Sequence, residues 1–385
     1  MDGASPSQPI RTLHDWPQAL ARIPQAAWLA LAELAIEPNA YHLPDWLSAL
    51  ARGEAQALTA WSELPTRRLI GLVPVIPFRR AYGLPLPALV SFDPYHTLGT
   101  PLIDRDASDE AAARLLRCAR DSGAHVLVLR AVTLDGPAAA AFHRILAWDG
   151  LAPRILHPHR RACLDATRDP DELLQDALGP KKLKELRRQR HRLADHHGAV
   201  TFTVARTPRE VATALDTFLA LEAAGWKGRR GSALANDAGD AAFIRAAATA
   251  LAARGQCEIV ILRAGATPVA AAIVPRHLGR AVYFKIAIDE GFAKYSPGVQ
   301  LTLDLTRHLC ADPAIVSADS TATAGHPMID PIWRGRLAIG DMVIPLRGGK
   351  AAAGLIHAAL ACRETARAGL APLVHRLRRR RETRR

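Results

Sequence analysis

The run AVYFKIAIDEGFAKYSPGVQL at residues 281–301, with the elements around it, constrains this chain most. Residues 281–288 are apolar and rich in β-formers, and read as a buried strand. A polar loop, 289–297, leads to Gly298 and an amphipathic segment, 299–310. There Val299, Thr302, Leu303, Leu305, Thr306 and Leu309 recur at helical spacing. A strand whose loop opens a helix leaves backbone N–H groups at the positive end of the helix dipole, an arrangement suited to phosphate. Gly298, lacking a Cβ, lets backbone approach a ligand closely. An ordinary strand–loop–helix connection fits the same residues.

The flanking elements extend the pattern. Residues 200–204 alternate as a strand, 208–224 read as a helix, and 238–254 as another, closed by Gly255. Strands follow at 258–263, 268–275 and 281–288, with turns at Gly265-Ala266 and Leu278-Gly279. A strand at 314–318 and a β-rich segment at 337–345 complete an order of β-α-α-β-β-β-α-β and a further β. The first half repeats the plan more faintly. Its helices read at 28–36, 44–52, 109–122 and 136–148, and its strands at 55–61, 68–77, 88–92, 125–129 and 161–165. A repeat of this length predicts two copies of one α/β domain, at 26–178 and 179–350. A loose lead-in (1–25) precedes them, and a helical extension with a basic tail (351–385) follows. At the junction, Gly179-Pro180 opens a basic helix with an apolar stripe of Leu183, Leu186 and Leu193, and Gly198 can stop it.

The net charge of +13 is local rather than general. Residues 181–192 hold seven Lys/Arg against Glu185, and 371–385 hold seven Arg against Glu382, so the remaining chain is nearly neutral. The tail, 376–385, is expected to contact polyanions such as nucleic acid or anionic membrane in a salt-dependent way. The helix, with Arg187 and Arg188, is expected to line the junction between the halves and to hold an anionic acceptor or tRNA phosphate. At 49% hydrophobic and 23% charged residues the chain reads as an ordinary globular protein, and no apolar run reaches membrane-spanning length. The start, MDGASPSQPI, lacks the features of a signal peptide, so a cytoplasmic location is expected. Five widely spaced cysteines, none at metal-binding spacing, read as reduced thiols, and no metal is expected.

Four stretches carry a family resemblance: LEAAGWKGRRGSAL (221–234), YFKIAID (283–289), FAKYSPGVQL (292–301) and DSTATAGHPMIDPIWRGRLAIG (319–340). The second half resembles a GCN5-related N-acetyltransferase (GNAT) domain. The whole chain resembles the CelD/FemAB-like acetyltransferases, built as two tandem GNAT-type folds: mixed, mostly antiparallel sheets flanked by helices. The resemblance implies transfer of an acyl group, acetyl in the first instance, from acyl-coenzyme A to an amine or hydroxyl. The acceptor would be a small molecule, a sugar or a cell-envelope or polysaccharide precursor in the cleft between the halves. In such enzymes the fourth strand and the next helix form a V-shaped gap, and the coenzyme pyrophosphate sits on a loop of type R/Q-x-x-G-x-G/A. That loop maps to Ala293, Ser296 and Gly298 with Leu301 at the apolar position, so Tyr295, Ser296, Gly298, Val299 and Leu301 are the expected donor-binding residues. Ala293 departs from the Arg/Gln and Ser296 from the first glycine. The tyrosine that many GNAT enzymes place after the fifth strand is missing, the residues there being Asp319, Ser320, Thr321 and His326. Relatives that use aminoacyl-tRNA supply an alternative donor. A non-catalytic, polyanion- or partner-binding protein with a decayed donor site is the alternative from another class.

Acyl transfer to an amine needs a base and donors for the developing oxyanion. His326, in the loop AGHPMID, and Asp289, ending the fourth strand, are the candidates for base. A backbone-satisfied loop histidine and a turn aspartate are the bland readings of the two. Glu222, Trp226, Lys227 and Arg229, in a glycine-rich loop, are the candidates for acceptor binding, beside Arg187 and Arg188. Pro331-Ile332-Trp333 is expected to pack the end of the sheet.

Overall fold

The computed structural model describes residues 17–50, 55–63, 67–346 and 348–363; the basic tail 376–385 lies outside them. The chain begins β1 (Gln18–Ala19), α1 (Gln25–Glu33), α2 (Pro44–Leu50), β2 (Gln56–Trp61), β3 (Leu69–Pro77) and α3 (Phe78–Tyr82). β4 (Ala88–Ser91), β5 (Leu102–Ile103), α4 (Ser108–Asp121), β6 (Val126–Thr133), α5 (Pro137–Trp148) and β7 (Arg154–Asp165) complete the first half. α6 (Pro170–His197) leads to β8 (Val200–Ala205), α7 (Pro208–Ala224), α8 (Trp226–Arg229) and α9 (Ala238–Ala253). Then come β9 (Cys257–Ala264), β10 (Thr267–His277), β11 (Arg280–Val282), β12 (Lys285–Ile288), α10 (Pro297–Ala311), β13 (Ser317–Asp319) and β14 (Gly335–Pro345).

Local chemistry explains the boundaries. Thr207 and Glu210 form a reciprocal capping box at the start of α7, and Asp237 caps α9. Gly179, at φ 70°, breaks α6, and Pro180 restarts it as the basic helix, which Gly198 ends at φ 92°. The edge strand β8 alternates half-buried and exposed residues, whereas β3 buries all but its last residue, as an interior strand does.

The strands form one sheet in the order β1-β2-β3-β4-β6-β14-β7-β13-β11-β10-β9-β8, with β5 on β3 and β12 on β10. Its two ends mirror each other. Each half contains one parallel pair, β4 with β6 and β11 with β13, and the other pairings are antiparallel. The halves also exchange their last strands. β7 follows β6 in sequence yet pairs with β13, and β14 follows β13 yet pairs with β6. β7 and β14 then pair with each other across the centre.

The core crosses the same line. Trp46 of α2 packs edge-on against Phe243 of α9 and Phe284, with ring centroids 5.0 and 4.9 Å apart, and Tyr41 and Tyr95 join the cluster. The buried leucines of α6 and α10 form a separate core on the second half, and residues 350–363 cover β4, β6 and β14 through Ala353, Ile356 and Leu360. All five cysteines are free thiols.

Candidate active site

The apolar run at 281–288 folds as two short strands rather than one. β11 pairs on one side with β10 and on the other with β13, whereas β12, two residues later, pairs with β10. The sheet therefore splays open between β12 and the loop that follows β13, as the V-shaped gap of the resemblance requires. A cavity of about 320 Å³ occupies the splay, walled by β12, the end of α7, the start of α8 and residues 320–329.

Three charged side chains meet in it. Glu222, on the last turn of α7, is buried, and its Oε2 accepts the Leu234 N–H at 2.8 Å. Its Oε1 accepts from Lys227 Nζ at 2.9 Å and lies 3.9 Å from Lys285 Nζ. Lys227 also donates to the Ile286 carbonyl at 2.9 Å, tying α8 to β12. Lys285 opens β12 with its ammonium 5.7 Å from the Tyr95 ring centre and 5.8 Å from that of Phe284. Burial holds its pKa below the ordinary lysine value; Glu222 opposes this and the Lys227 charge adds to it. The cavity thus offers a partly desolvated cation among largely apolar walls.

The loop after β13 supplies the other wall. Thr321 takes a left-handed conformation at φ 48°, held by its N–H to Asp319 Oδ1 (2.9 Å) and its hydroxyl to the Tyr283 carbonyl (2.7 Å). Asp319 in turn pairs with Arg161 of β7, both buried, and Arg161 donates to the Thr97 carbonyl at 2.6 Å. His326 lines the cavity, and its Nδ1 accepts the Met328 N–H at 3.3 Å, which puts the ring proton of the neutral imidazole on Nε2.

Glu222, Trp226, Lys227 and His326 therefore come together, and the other expected residues stand apart. Asp289 caps the turn Glu290–Tyr295 by accepting the Gly291 N–H at 2.8 Å, and with Arg229 lines a neighbouring cavity that shares Leu221, Gly225 and Ile288 with the first. Arg229 pairs there with Glu290 at 2.6 Å. The turn role of Asp289 wins because a short side chain after a strand reaches its own backbone first. Arg187 and Arg188 are exposed and line neither cavity. The leucine stripe of α6 packs against α10, where Gln300 donates to the Leu186 carbonyl and Arg190 pairs with Asp304, so the cations face away from the junction.

The expected donor loop is also more closed than its sequence implies. Pro297 has no N–H, and Ser296 gives its own to the Ala293 carbonyl. Gly298 is buried, and a Cβ there would stand 3.0 Å from Met328 Sδ and 3.3 Å from Ile288 Cγ2, so any side chain at this position has to push those two neighbours aside. Tyr295 and Leu301 are core residues, and the Tyr295 hydroxyl bonds His196 Nδ1 at 2.7 Å. Tyr295, Ser296, Gly298, Val299 and Leu301 all lie outside the walls of the splay cavity. Lys285 is the residue that pattern reading passes over; its signal is a lone cation inside an apolar strand. Among the described residues no His/Cys/Asp/Glu cluster fits a metal ion.

Comparison with known proteins agrees with this architecture. Residues 180–318 match the family described as acetyltransferase (GNAT) domain. No curated protein matches the chain in sequence. Among solved structures, FemX shares 12% identity at a TM-score of 0.56, over 87% of this chain and 99% of that one. The C-terminal domain of a putative lysylphosphatidylglycerol synthetase from Agrobacterium fabrum shares 14% at 0.54, over 87% and 95%. L-PGS from Bacillus licheniformis shares 14% at 0.53, over 89% and 97%. The chain shares the fold of FemX, and its match to the acetyltransferase (GNAT) domain family falls in the second half.

Proposed function

We propose that this chain is a cytoplasmic acyltransferase that moves an acyl group onto an amine or hydroxyl of a small-molecule, sugar or envelope-precursor acceptor, with the reaction in the splay beside β12. The observation that carries the reading is Lys285: a lysine of depressed pKa in the gap where the fold class handles its acyl group. Attack on an acyl carbonyl turns its oxygen into an oxyanion, and a fixed ammonium in an apolar cavity stabilises that charge more than water does. Glu222 holds Lys227 and Lys285 in place and balances one of the two charges. His326, with its proton on Nε2 and Nδ1 occupied by the Met328 N–H, is set to offer a hydrogen bond to the oxyanion rather than to act as the base, and the acceptor gives up its proton to solvent. Trp226, 45% exposed at the rim under Arg230, offers a face to the acceptor.

Acyl-coenzyme A is the donor that the matched domain family suggests, but one observation favours the alternative of an aminoacyl ester on tRNA. Pro297, the occupied Ser296 N–H and the covered Gly298 leave little of a pyrophosphate cradle. The basic face of α6, exposed at Lys181, Lys184, Arg187, Arg188 and Arg192, belongs to the helix that packs on α10, and suits a nucleic-acid backbone. Thermal shift with acetyl-coenzyme A and with charged tRNA separates the donors, because a ligand of the native state raises the melting temperature. A rise with charged tRNA that vanishes in Arg187→Glu/Arg188→Glu supports the tRNA reading. A rise with acetyl-coenzyme A alone supports the coenzyme, and a rise with neither removes both donors.

A further inference from the structure

A second cavity, of about 450 Å³, adjoins the first and shares Thr321 and Ala322 with it. Its charged lining is one-sided: among the described residues three arginines, Arg130, Arg161 and Arg363, stand against a single acid, Asp341, with His96, His157 and His159 beside them. The arginines come from distant parts of the chain, β6, β7 and the helical residues 350–363, so no local charge run produced them.

The guanidiniums are positioned before any ligand arrives. Arg130 is fixed by the backbone carbonyls of Ser91 (2.9 Å) and Asp93 (3.2 Å). Arg161 is anchored to Asp319 and Thr97, yet its Nε is buried without a partner. Arg363 lies 4.9 Å over the Tyr82 ring, and its Nη1 is likewise buried without a partner among the described residues. Buried charged donors without acceptors are rare in folded proteins, because each has lost its water and gained nothing in return. Two on residues that line one cavity mark a place for an acceptor that the described residues do not supply.

The backbone points the same way. Of six non-glycine residues at positive φ among the described residues, four line this cavity: His96 (51°), Ala131 (50°), His157 (53°) and Thr321 (48°). Left-handed backbone away from glycine is costly, and it persists where neighbouring structure enforces it, commonly at ligand sites.

We propose that this cavity binds an oxyanion of the acceptor, a phosphate ester or a carboxylate, and presents the rest of the molecule through the Thr321–Ala322 neck to Lys285. The word acceptor rests on the transferase reading above, and the oxyanion site does not. Guanidinium forks suit both oxyanions through paired, charge-assisted hydrogen bonds. The test is calorimetry on the full chain with inorganic phosphate, pyrophosphate and malonate, with no acyl donor present. Saturable one-to-one binding is expected, and the tighter class identifies the oxyanion. Arg363→Gln should weaken binding about tenfold, the effect of losing one charge-assisted bond. Arg79→Gln, an exposed charge outside the cavity, should leave binding within about twofold of the parent. Should Arg363→Gln fold poorly, His159→Gln on the exposed face of β7 gives a second reading of the same wall. No saturable binding of any of the three anions, or equal weakening by Arg79→Gln, overturns the proposal. Either result leaves the transferase reading of the Lys285 cavity standing.

Discussion

Lys285 and His277 show how burial sets what one side chain can do. Lys285 loses water on entering the gap, so its ammonium form ends at a lower pH than the ordinary 10.5. If that ammonium holds the oxyanion, turnover falls on the alkaline side with a midpoint below 10.5, and Lys285→Arg, which stays charged, moves that limb upward; a pH–rate profile checks both. His277 of β10 clamps the halves instead. Its Nδ1 accepts the Asn39 N–H and its Nε2 donates to the Ala32 carbonyl, each at 2.9 Å. Burial, aided by Arg280, lowers its pKa to about 4. A depressed histidine pKa means that the unfolded chain binds the proton more readily. Stability is then full above the ordinary 6.5, falls as pH drops from 6.5 toward 4, and is flat below that as far as this group is concerned. The loss approaches roughly 3 kcal/mol across that window. Melting curves from pH 7 to pH 4 should show it, and His277→Gln should flatten the slope. An unchanged slope in that variant would remove His277 from the acid sensitivity.

At the scale of elements, α10 and its loop test whether a glycine serves a ligand or a packing contact. Gly298→Val brings branched methyls against Met328 and Ile288, and overpacking of this kind costs about 1–3 kcal/mol. The melting temperature should fall without any donor present; an unchanged value would return Gly298 to a ligand-facing role. These elements also mark how far the sequence is legible. The helices and strands of the second half, the cap Gly255 and the restart at Pro180 are local effects of spacing and turn chemistry, and they read directly. The splitting of 281–288 into β11 and β12 does not, because it depends on β13 pairing with one part of the run and diverging from the other. The exchange of β7 and β14 is equally invisible, since nothing in an apolar strand names its neighbour. Glu222, Lys227 and His326 stand out as polar residues in the stretches that carry the resemblance. Lys285 is hidden in an apolar run, and Arg363 is brought to Arg130 and Arg161 from more than two hundred residues further along the chain.

At the scale of the molecule, the exchanged strands and the shared aromatic core make each half a support for the other. Tyr95 of the first half helps to hold Lys285 of the second, and Arg161 of the first holds Asp319, which shapes the Thr321 turn. Trp46→Ala, in the core between the halves, should cost about 3–5 kcal/mol and lower the stability of both halves in one transition. Two separated transitions by calorimetry, one unmoved by the substitution, would show that the halves fold independently. No described helix is long and apolar enough to cross a membrane. The central claim, acyl transfer beside Lys285, is tested most directly by label transfer. Acyl-labelled coenzyme A and aminoacyl-labelled tRNA are each offered with a metabolite extract as the source of acceptor, to the parent and to Lys285→Met. Label is expected in a new small-molecule product from one of the two donors, with a rate lower by about a hundredfold or more in a Lys285→Met protein that melts like the parent. Equal rates in the two proteins, or no transfer from either donor, would contradict it.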